Sequence, residues 1–408
     1  MSSSISALRQ AVSSRARVNL AHSMKEKLTL EKLAHLEHDG FCVIDGVFGK
    51  KWIDAAREEV LLAKEHNCMQ LNHTHLLVPD KESNQMTREL VAKEKIYELD
   101  CLINADLAST LEHSGKDLMK DTSLKEIIHG AMPELGVLRG QQPLKLQLNE
   151  GNGGCFPIHT DATLLVGDKQ TGGVGQGADD RVITALLYLN PQWKPEHGGQ
   201  LRLYPLLEDP VDVDPIADRM VLFSSTSMLH RVLPSTTTPE EPRCCATIWL
   251  HGDGSEGGVL SRRKGLVPKP LGENPSAVDT ALFLLQPYYR PFTARMMYAS
   301  EWESSIFDSH TKGEADVLVK AHWKNVDLIA KTFKDLLPKL DQGLMELQDA
   351  KRGAMMEKDK DKARTSTEQL HPLLRSNQSP GAGRIEEEGS NESSNGYPVL
   401  PGVLDWIV

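Results

Sequence analysis

The stretch Cys155–Asp161, Cys-Phe-Pro-Ile-His-Thr-Asp, decides the fold, because it leads a strand-like segment into two residues of metal-ligand type. His159 and Asp161 lie two positions apart, so on a strand their side chains point to the same face. His230, from a distant segment, can complete a site of two histidines and one carboxylate. That ligand set leaves coordination positions open and is typical of non-haem Fe(II) oxygenases. Arg243 follows, and its planar guanidinium can pair with a carboxylate through two hydrogen bonds.

Short strand-like segments flank this stretch on both sides. Each of them alternates apolar and polar residues or is rich in β-branched residues, and turn residues such as Gly, Asn and Pro separate them. The segments are Lys145–Leu148, Arg181–Asn190, Gly198–Pro205, Asp218–Phe223, His230–Pro234 and Arg243–Leu250. Short strands at such close spacing predict a mainly β core, a double-stranded β-helix or jelly roll, with helices flanking it on the N- and C-terminal sides.

Six motifs in a fixed order make residues Lys145–Trp249 resemble a known family. The motifs are G-N-G before the H-x-D pair, R-x-x-T-x-x-x-Y-L-N, G-G-x-L-R-x-x-P, D-R-x-x-x-F, H-x-V-x-P and R-x-x-x-T-x-W. This order resembles the 2-oxoglutarate- and Fe(II)-dependent dioxygenases, in particular their prolyl 4-hydroxylase branch. Within that branch the segment is most similar to the oxygen-sensing prolyl hydroxylases.

The resemblance implies a role for each matching residue. His159, Asp161 and His230 would bind Fe(II), and Arg243 would pair with the distal carboxylate of 2-oxoglutarate. Tyr188 and Thr247 stand where the family hydrogen-bonds the same co-substrate. Trp249 stands where the family has a large aromatic residue beside the metal. Strand alternation independently puts the side chains of Arg243 and Thr247 on one face.

Three positions depart from the family's pattern. The turn Thr238–Pro242 lengthens the gap between His230 and Arg243. Asn149 stands where the nearest relatives carry a tyrosine that contacts the co-substrate. The Gly-rich segment Leu164–Asp180 replaces a tight turn; it is either a mobile flap over the active site or an ordinary flexible hairpin loop.

The resemblance implies an activity and its cofactors. Oxidative decarboxylation of 2-oxoglutarate, with Fe(II) and O2, would be coupled to hydroxylation of a substrate, and L-ascorbate would keep the iron reduced. A proline-containing protein or peptide is the expected partner and substrate. Two alternatives stay open: the same chemistry on another side chain or a small molecule, and a jelly roll without catalysis that acts as a scaffold.

Composition limits the classes of partner and the compartment. A net charge of −11 and a pI near 5.8 argue against nucleic-acid binding. The sequence has no apolar run of about 18 residues, so no membrane span is expected. The 6 cysteines form no C-x-x-C pattern, so free thiols in a reducing compartment are expected, cytoplasmic or nuclear. Residues Met1–Met24 lack acids and carry several arginines and serines, so a mitochondrial presequence is the alternative.

The sequence suggests six consecutive regions. Thr29 is a predicted helix cap, and a helix, a D-G-F turn, a strand Phe41–Phe48 and a second helix Trp52–Lys64 open the catalytic unit. Residues His66–Thr87, with the pair His73-x-His75, are expected to form a loop. The regions are a lead-in that is possibly flexible (1–28), an N-terminal helical and strand part of the catalytic unit (29–139), the jelly-roll core (140–253), a C-terminal helical extension (254–347), a disordered linker (348–396) and an apolar tail (397–408).

Overall fold

The computed structural model describes residues 6–8, 18–79, 86–135, 142–151, 153–162, 181–252, 270–286 and 288–360. The described residues divide into two compact units. The first unit comprises those within 1–205, 209–265 and 301–319, and the second comprises those within 206–208, 266–300 and 320–408.

Helices precede and follow a block of strands. The helices are α1 (Leu20–Lys27), α2 (Leu30–Asp39), α3 (Lys50–Glu65), α4 (Ala105–Ala108), α5 (Leu118–Lys120), α6 (Ser123–Ala131), α7 (Ala277–Leu284), α8 (Arg290–Met297), α9 (Ala299–Ser309), α10 (Lys312–Thr332) and α11 (Leu337–Lys360), with a π-helix at Glu112–Asp117. The strands are β1 (Phe41–Asp45), β2 (Gln70–Pro79), β3 (Met86–Asp100), β4 (Leu144–Asn149), β5 (Gly154–His159), β6 (Arg181–Tyr188), β7 (Leu201–Tyr204), β8 (Val211–Val213), β9 (Arg219–Ser224), β10 (Leu229–Ser235) and β11 (Arg243–His251).

The strands of the first unit form two antiparallel sheets. The major sheet has 7 strands in the order β1-β9-β6-β11-β4-β3-β2, and the minor sheet has 4 strands in the order β5-β10-β7-β8. One apolar cluster joins the two sheets face to face, since it contains Val221 and Phe223 from the major sheet and Leu201 and Val232 from the minor sheet. This arrangement confirms the predicted jelly roll.

The opposite face of the major sheet packs against helices. Leu146 and Ala246 point to this side and belong to one cluster with Trp52 and Val60 of α3. The major sheet is therefore buried on both faces along its central strands, which explains why β6 contains an almost continuous apolar run.

The opening of the chain follows the predicted order of elements. Thr29 caps α2, since its hydroxyl accepts a hydrogen bond of 3.4 Å from the backbone N–H of Lys32. Gly40 ends α2 in the left-handed conformation, with φ 78°, which glycine adopts without steric cost. The chain then enters β1, which pairs with β9, so this opening segment is part of the sheet that carries the site.

The predicted loop His66–Thr87 is wrong. Residues 70–79 and 86–100 pair as an antiparallel hairpin, β2 and β3, and β3 pairs in turn with β4. The polar composition of the segment gave no strand pattern in the sequence, because β2 lies at the edge of the sheet and needs no continuous apolar face. The major sheet therefore takes three strands from the region before residue 140.

The boundary between the C-terminal helices and the predicted linker also needs correction. Helix α11 continues to Lys360, so the first residues of the region 348–396 are helical. Lys, Glu and Met favour helices, but Lys and Glu are also common in disordered segments, and for this reason the sequence placed the end of the helices too early. The rest of that linker, the apolar tail and the whole segment Leu164–Asp180 lie outside the described residues. The predicted lead-in contains α1, whose Leu20 and Met24 are buried.

The second unit is helical. Ser276 and Asp279 form a reciprocal cap at the start of α7. Gly343 of α11 lies against α7, because a Cβ at this glycine would approach the carbonyl oxygen of Ala277 to 2.0 Å. Within the described part of the chain, no helix is both long and apolar enough to cross a bilayer. All six cysteines are free thiols, as the sequence predicts.

Candidate metal centre and co-substrate site

The two histidines and the aspartate meet at one end of the minor sheet. His159 is the last residue of β5 and His230 the second residue of β10, and the two residues are directly paired across the strands. Nε2 of His159 lies 3.5 Å, and Nε2 of His230 3.6 Å, from Oδ1 of Asp161. One ligand atom from each residue lies within 4.8 Å of the others, so a single divalent ion can contact all three.

Backbone carbonyls orient both imidazoles. Nδ1 of His159 lies 2.7 Å from the carbonyl oxygen of Pro157, and Nδ1 of His230 lies 3.1 Å from that of Met228. A carbonyl can only accept, so each Nδ1 carries the proton and donates it. Both Nε2 atoms face the carboxylate, and the neutral imidazole with its proton on Nδ1 is the tautomer that leaves Nε2 available to a metal. The donor set fits Fe(II).

The carboxylate of Asp161 is held at its other oxygen. Oδ2 accepts hydrogen bonds from the hydroxyl of Thr184, at 2.6 Å, and from the indole N–H of Trp249, at 3.1 Å. Ser225 supports Thr184, since the two hydroxyls lie 2.8 Å apart. Burial acts to raise the pKa of Asp161, but hydrogen bonding and the two histidines outweigh it and hold that pKa well below its usual range. Oδ1 is thus left charged and free to bind a cation.

The site is open on the His159 side. The side chain of His159 is 37% exposed, whereas that of His230 is 5% exposed. Burial, together with the neighbouring His159, lowers the pKa of His230 to about 4. Within the described residues, His159 therefore lies on the accessible side of the site and His230 on its buried side.

Arg243 lies at the start of β11 and is almost fully buried. Its Nε donates to the carbonyl oxygen of Gly199 at 2.8 Å, and its guanidinium carbon lies 5.2 Å from the ring centre of Tyr188. Gly199 has φ 72°, and a Cβ there would come within 2.8 Å of the arginine side chain. Among the described residues, no carboxylate lies within ion-pair distance of Arg243. A buried cation without a counter-ion is costly, so this position suits an anionic ligand.

Tyr188 supplies a second polar group beside Arg243. Its hydroxyl is buried and has no hydrogen-bond partner among the residues described. Burial raises the pKa of this phenol, which stays protonated and able to donate. Tyr188 pairs directly with Cys245 across β6 and β11, so it shares the face of Arg243 and Thr247.

One face of β11 links the metal centre to the arginine. Trp249, Thr247, Cys245 and Arg243 alternate along this strand, so their side chains share a face. Since Trp249 contacts Asp161, the row begins at the three metal-ligand residues and leads to Arg243. The structure therefore brings together the site residues expected from the sequence, His159, Asp161, His230, Arg243, Tyr188 and Thr247, on the two inner faces of the jelly roll.

Sequence reasoning missed the groups that support this site. Thr184 could have been found, because it alternates with Tyr188 along β6 and so faces inward. Ser225 gave no such signal, since it lies after the end of β9. Asn149 closes its own turn: its side chain accepts from the N–H of Gly151 and donates to the carbonyl of Gly154.

Comparison with known proteins agrees with this geometry. Residues 144–251 match the sequence model of the 2OG-Fe(II) oxygenase superfamily. The chain is 31% identical, over 128 residues, to a hypoxia-inducible factor prolyl hydroxylase of Caenorhabditis elegans. That alignment covers 31% of this chain and 15% of the relative's length.

A solved structure extends the likeness beyond this segment. A crystal structure from a study of prolyl 4-hydroxylases from Phytophthora capsici superposes with a TM-score of 0.59 at 28% sequence identity. The superposition covers 82% of this chain and 97% of that one. The motif order, the two facing sheets and these likenesses show that residues 144–251 form a domain of the 2OG-Fe(II) oxygenase superfamily, in its prolyl hydroxylase branch.

Proposed function

We propose that this protein is a 2-oxoglutarate- and Fe(II)-dependent dioxygenase that hydroxylates a prolyl residue of a protein or peptide. The observation that carries the proposal is the joint presence, between the two facing sheets, of an oriented His-Asp-His set and a buried arginine that has no ion-pair partner among the described residues. The first suits Fe(II), and the second suits a dicarboxylate co-substrate. The named relatives support the prolyl side chain as the target.

The protein's part in metal binding is orientation. His159, Asp161 and His230 would hold Fe(II) on one side and leave its other positions open. Bound iron supplies activation of O2, coupled to oxidative decarboxylation of 2-oxoglutarate. Thr184 and Trp249 fix the rotation of the Asp161 carboxylate, so the ligand set is organised before the metal arrives.

The co-substrate would lie along β11. Arg243 would bind the distal carboxylate of 2-oxoglutarate by donating charge-assisted hydrogen bonds to it, and the Tyr188 hydroxyl would donate a further hydrogen bond to the same carboxylate. Thr247, half-buried on the same face, would add a further hydrogen bond. Packing around Arg243 keeps water from competing for the guanidinium.

The scaffold alternative receives no support from the site. A jelly roll used only for binding has no need of an aspartate that two hydrogen bonds hold beside two imidazoles, or of a buried arginine with no carboxylate beside it in the described structure. Hydroxylation of another side chain or of a small molecule is the second candidate, because the site as described holds the metal and the co-substrate but identifies no residue that selects a prolyl side chain.

The proposal also includes the reductant that keeps the iron as Fe(II) and the cellular compartment of the protein. L-Ascorbate is the proposed reductant for the iron. Six free thiols favour a reducing compartment, and we propose the cytoplasm or nucleus over the mitochondrion.

Succinate formation from 2-oxoglutarate tests the proposal. The purified full chain is supplied with Fe(II), ascorbate and O2, with and without proline-containing peptides, and Asp161→Ala is the matched control. Turnover that needs iron, rises with a proline peptide and disappears in Asp161→Ala is the expected result. Iron-dependent turnover that ignores every peptide would favour the small-molecule candidate. Absence of both turnover and 2-oxoglutarate binding would overturn the proposal in favour of the scaffold.

A further inference from the structure

Helix α9 presents a row of polar side chains to the minor sheet. Glu301, Ser305 and Asp308 are spaced four and then three residues apart, so they lie on one face of the helix. Each of them contacts a strand of the minor sheet through a hydrogen bond or an ion pair. The helix begins well after residue 251, where the match to the superfamily ends.

Ser305 contacts the strand that carries His159. The hydroxyl of Ser305 accepts a hydrogen bond of 2.8 Å from the backbone N–H of Ile158, the residue directly before His159. Strand β5 is at the edge of the minor sheet, so its outward N–H groups have no strand partner. Ser305 is itself buried and takes the place of that missing partner.

The inner pairing of β5 is irregular. Its register with β10 shifts between His230 and Val232, and again between Val232 and Ser235. A ladder with two such irregularities fixes the strand less firmly than a regular one. The contact from Ser305 on the outer edge of β5 therefore influences the orientation of His159 more than it would beside a regular ladder.

Asp308 contacts the strand that carries His230. Arg231, directly after His230, points away from the metal centre, is 2% exposed and forms an ion pair with Asp308. Nε of Arg231 has no hydrogen-bond partner among the described residues, so Asp308 is the chief anchor of this buried cation. The backbone carbonyl of Asp308 also accepts from the thiol of Cys155 on β5, at 3.3 Å. One residue of α9 thus touches both ligand strands.

We infer that α9 is a brace for the metal centre, with Ser305 and Asp308 as positioning residues that fix the spacing of His159 and His230 from behind. The inference rests on the proposed function, because it assigns these residues to a metal site. It assigns a role to a helix that lies outside the segment matching the superfamily.

Glu301 provides an internal control. It pairs with Arg202 and accepts from the hydroxyl of Tyr204, both on β7, which carries no metal ligand. Arg202 also pairs with Asp212 of β8. Arg202 is the cross-strand neighbour of Arg231, but α9 reaches it through β7. Loss of Arg202 therefore weakens the attachment of the same helix to the same sheet and removes none of the contacts that α9 makes with β5 or β10.

Co(II) titration of the full-length protein tests the inference, with the dissociation constant and the visible absorption bands of bound Co(II) as readouts. We expect Ser305→Ala and Asp308→Asn to weaken Co(II) binding by about tenfold, the lower end of the range for groups that orient ligands. We expect the absorption bands to shift, because the two histidines change their relative position. Arg202→Met lowers the melting temperature but leaves both metal readouts at the wild-type value.

Folding failure is separated from positioning by a paired replacement. Removing one partner of a buried ion pair leaves the other charge buried without a counter-ion, whereas replacing both partners by apolar residues restores stability. Arg231→Met with Asp308→Leu should therefore recover the melting temperature but keep the shifted bands. Wild-type Co(II) affinity and bands in Ser305→Ala and in the double variant would overturn the brace. Failure of the wild-type protein to bind Co(II) would instead overturn the proposed function, and the brace with it.

Discussion

The indole N–H of Trp249 and the carboxylate of Asp161 are joined by a hydrogen bond of 3.1 Å. This bond connects β11, the strand of the arginine, to the turn that follows β5, the strand of the first histidine. The same carboxylate oxygen accepts from Thr184, so two donors from the major sheet hold a ligand that belongs to the minor sheet. The metal centre therefore depends on both sheets.

Thr184→Val tests this dependence. Valine keeps the shape of threonine but removes the donor, so Asp161 loses its shorter hydrogen bond, and we expect Mn(II) affinity to fall about 10- to 100-fold. Thr184→Ser keeps the hydroxyl and should bind Mn(II) close to the wild-type level. Equal affinity in the valine and serine variants would show that Thr184 does not orient the ligand.

Arg243→Met tests the co-substrate site. Charge-assisted hydrogen bonds contribute about 1.5–3 kcal/mol each, so we expect the KM for 2-oxoglutarate to rise tenfold or more, by the factor of ten per ~1.4 kcal/mol. Mn(II) affinity should not change, because Arg243 contacts none of the three ligands in the described structure. An unchanged KM would reject the assignment.

The same substitution has an expected effect on stability. Arg243 is a buried cation with no carboxylate beside it in the described structure, so it costs folding free energy until an anion binds. We therefore expect Arg243→Met to melt at or above the wild-type temperature without 2-oxoglutarate. At the same concentration of 2-oxoglutarate, the melting temperature of the wild type should rise more than that of the variant, because the variant binds the ligand more weakly. A variant that melts well below the wild type would indicate that Arg243 has a structural role instead.

Local patterns were sufficient to predict the fold and most of the site. Alternation along β11 puts Arg243 and Thr247 on one face, and motif order identifies His159 and Asp161. The structure adds what alternation cannot encode. Ser305 acts on Ile158 from far along the chain, and such a pairing depends on how α9 packs on the minor sheet.

The hairpin β2–β3 shows a second limit of sequence reasoning. Strand assignment from one sequence relies on an apolar stripe, and an edge strand with polar exposed residues such as His73 lacks one. The formation of β2 depends on its pairing with β3, which the sequence of β2 alone does not show. The sequence assigned residues 29–139 to the catalytic unit and predicted the strand at Phe41, but only the packed sheet shows that the hairpin β2–β3 extends the major sheet as well.

Thiol reactivity tests the burial of the cysteines. Cys68 is partly exposed, whereas the other five are buried, and burial raises the pKa of Cys42, Cys101 and Cys244 to about 12. Thiolates are the reactive species, so we expect one thiol to react with a disulfide reagent in the native protein at pH 8 and six after denaturation. Cys68→Ser should abolish the native reaction. Reaction of several thiols before unfolding would contradict the buried positions.

Lys93 gives a prediction about pH. Its ammonium donates to the carbonyl of Cys155 at 2.5 Å and lies 3.9 Å from the ring centre of Phe156. Burial, partly offset by the Cys155 thiol, lowers the pKa of Lys93 from 10.5 to about 8. Between these values the unfolded chain binds a proton that the folded protein does not, so stability rises with pH.

Comparison with Lys93→Met isolates this contribution. The cost of burying the charge is complete below about pH 8 and disappears above 10.5, so the wild type should gain free energy of unfolding relative to the variant across that window. Cys155→Ala is introduced into both proteins, because the thiol of Cys155 interacts electrostatically with Lys93 and burial raises its own pKa. Denaturant unfolding at pH 7, 9 and 10.5 measures the difference. A difference that stays constant across the three pH values would show that Lys93 keeps its ordinary pKa in the folded protein.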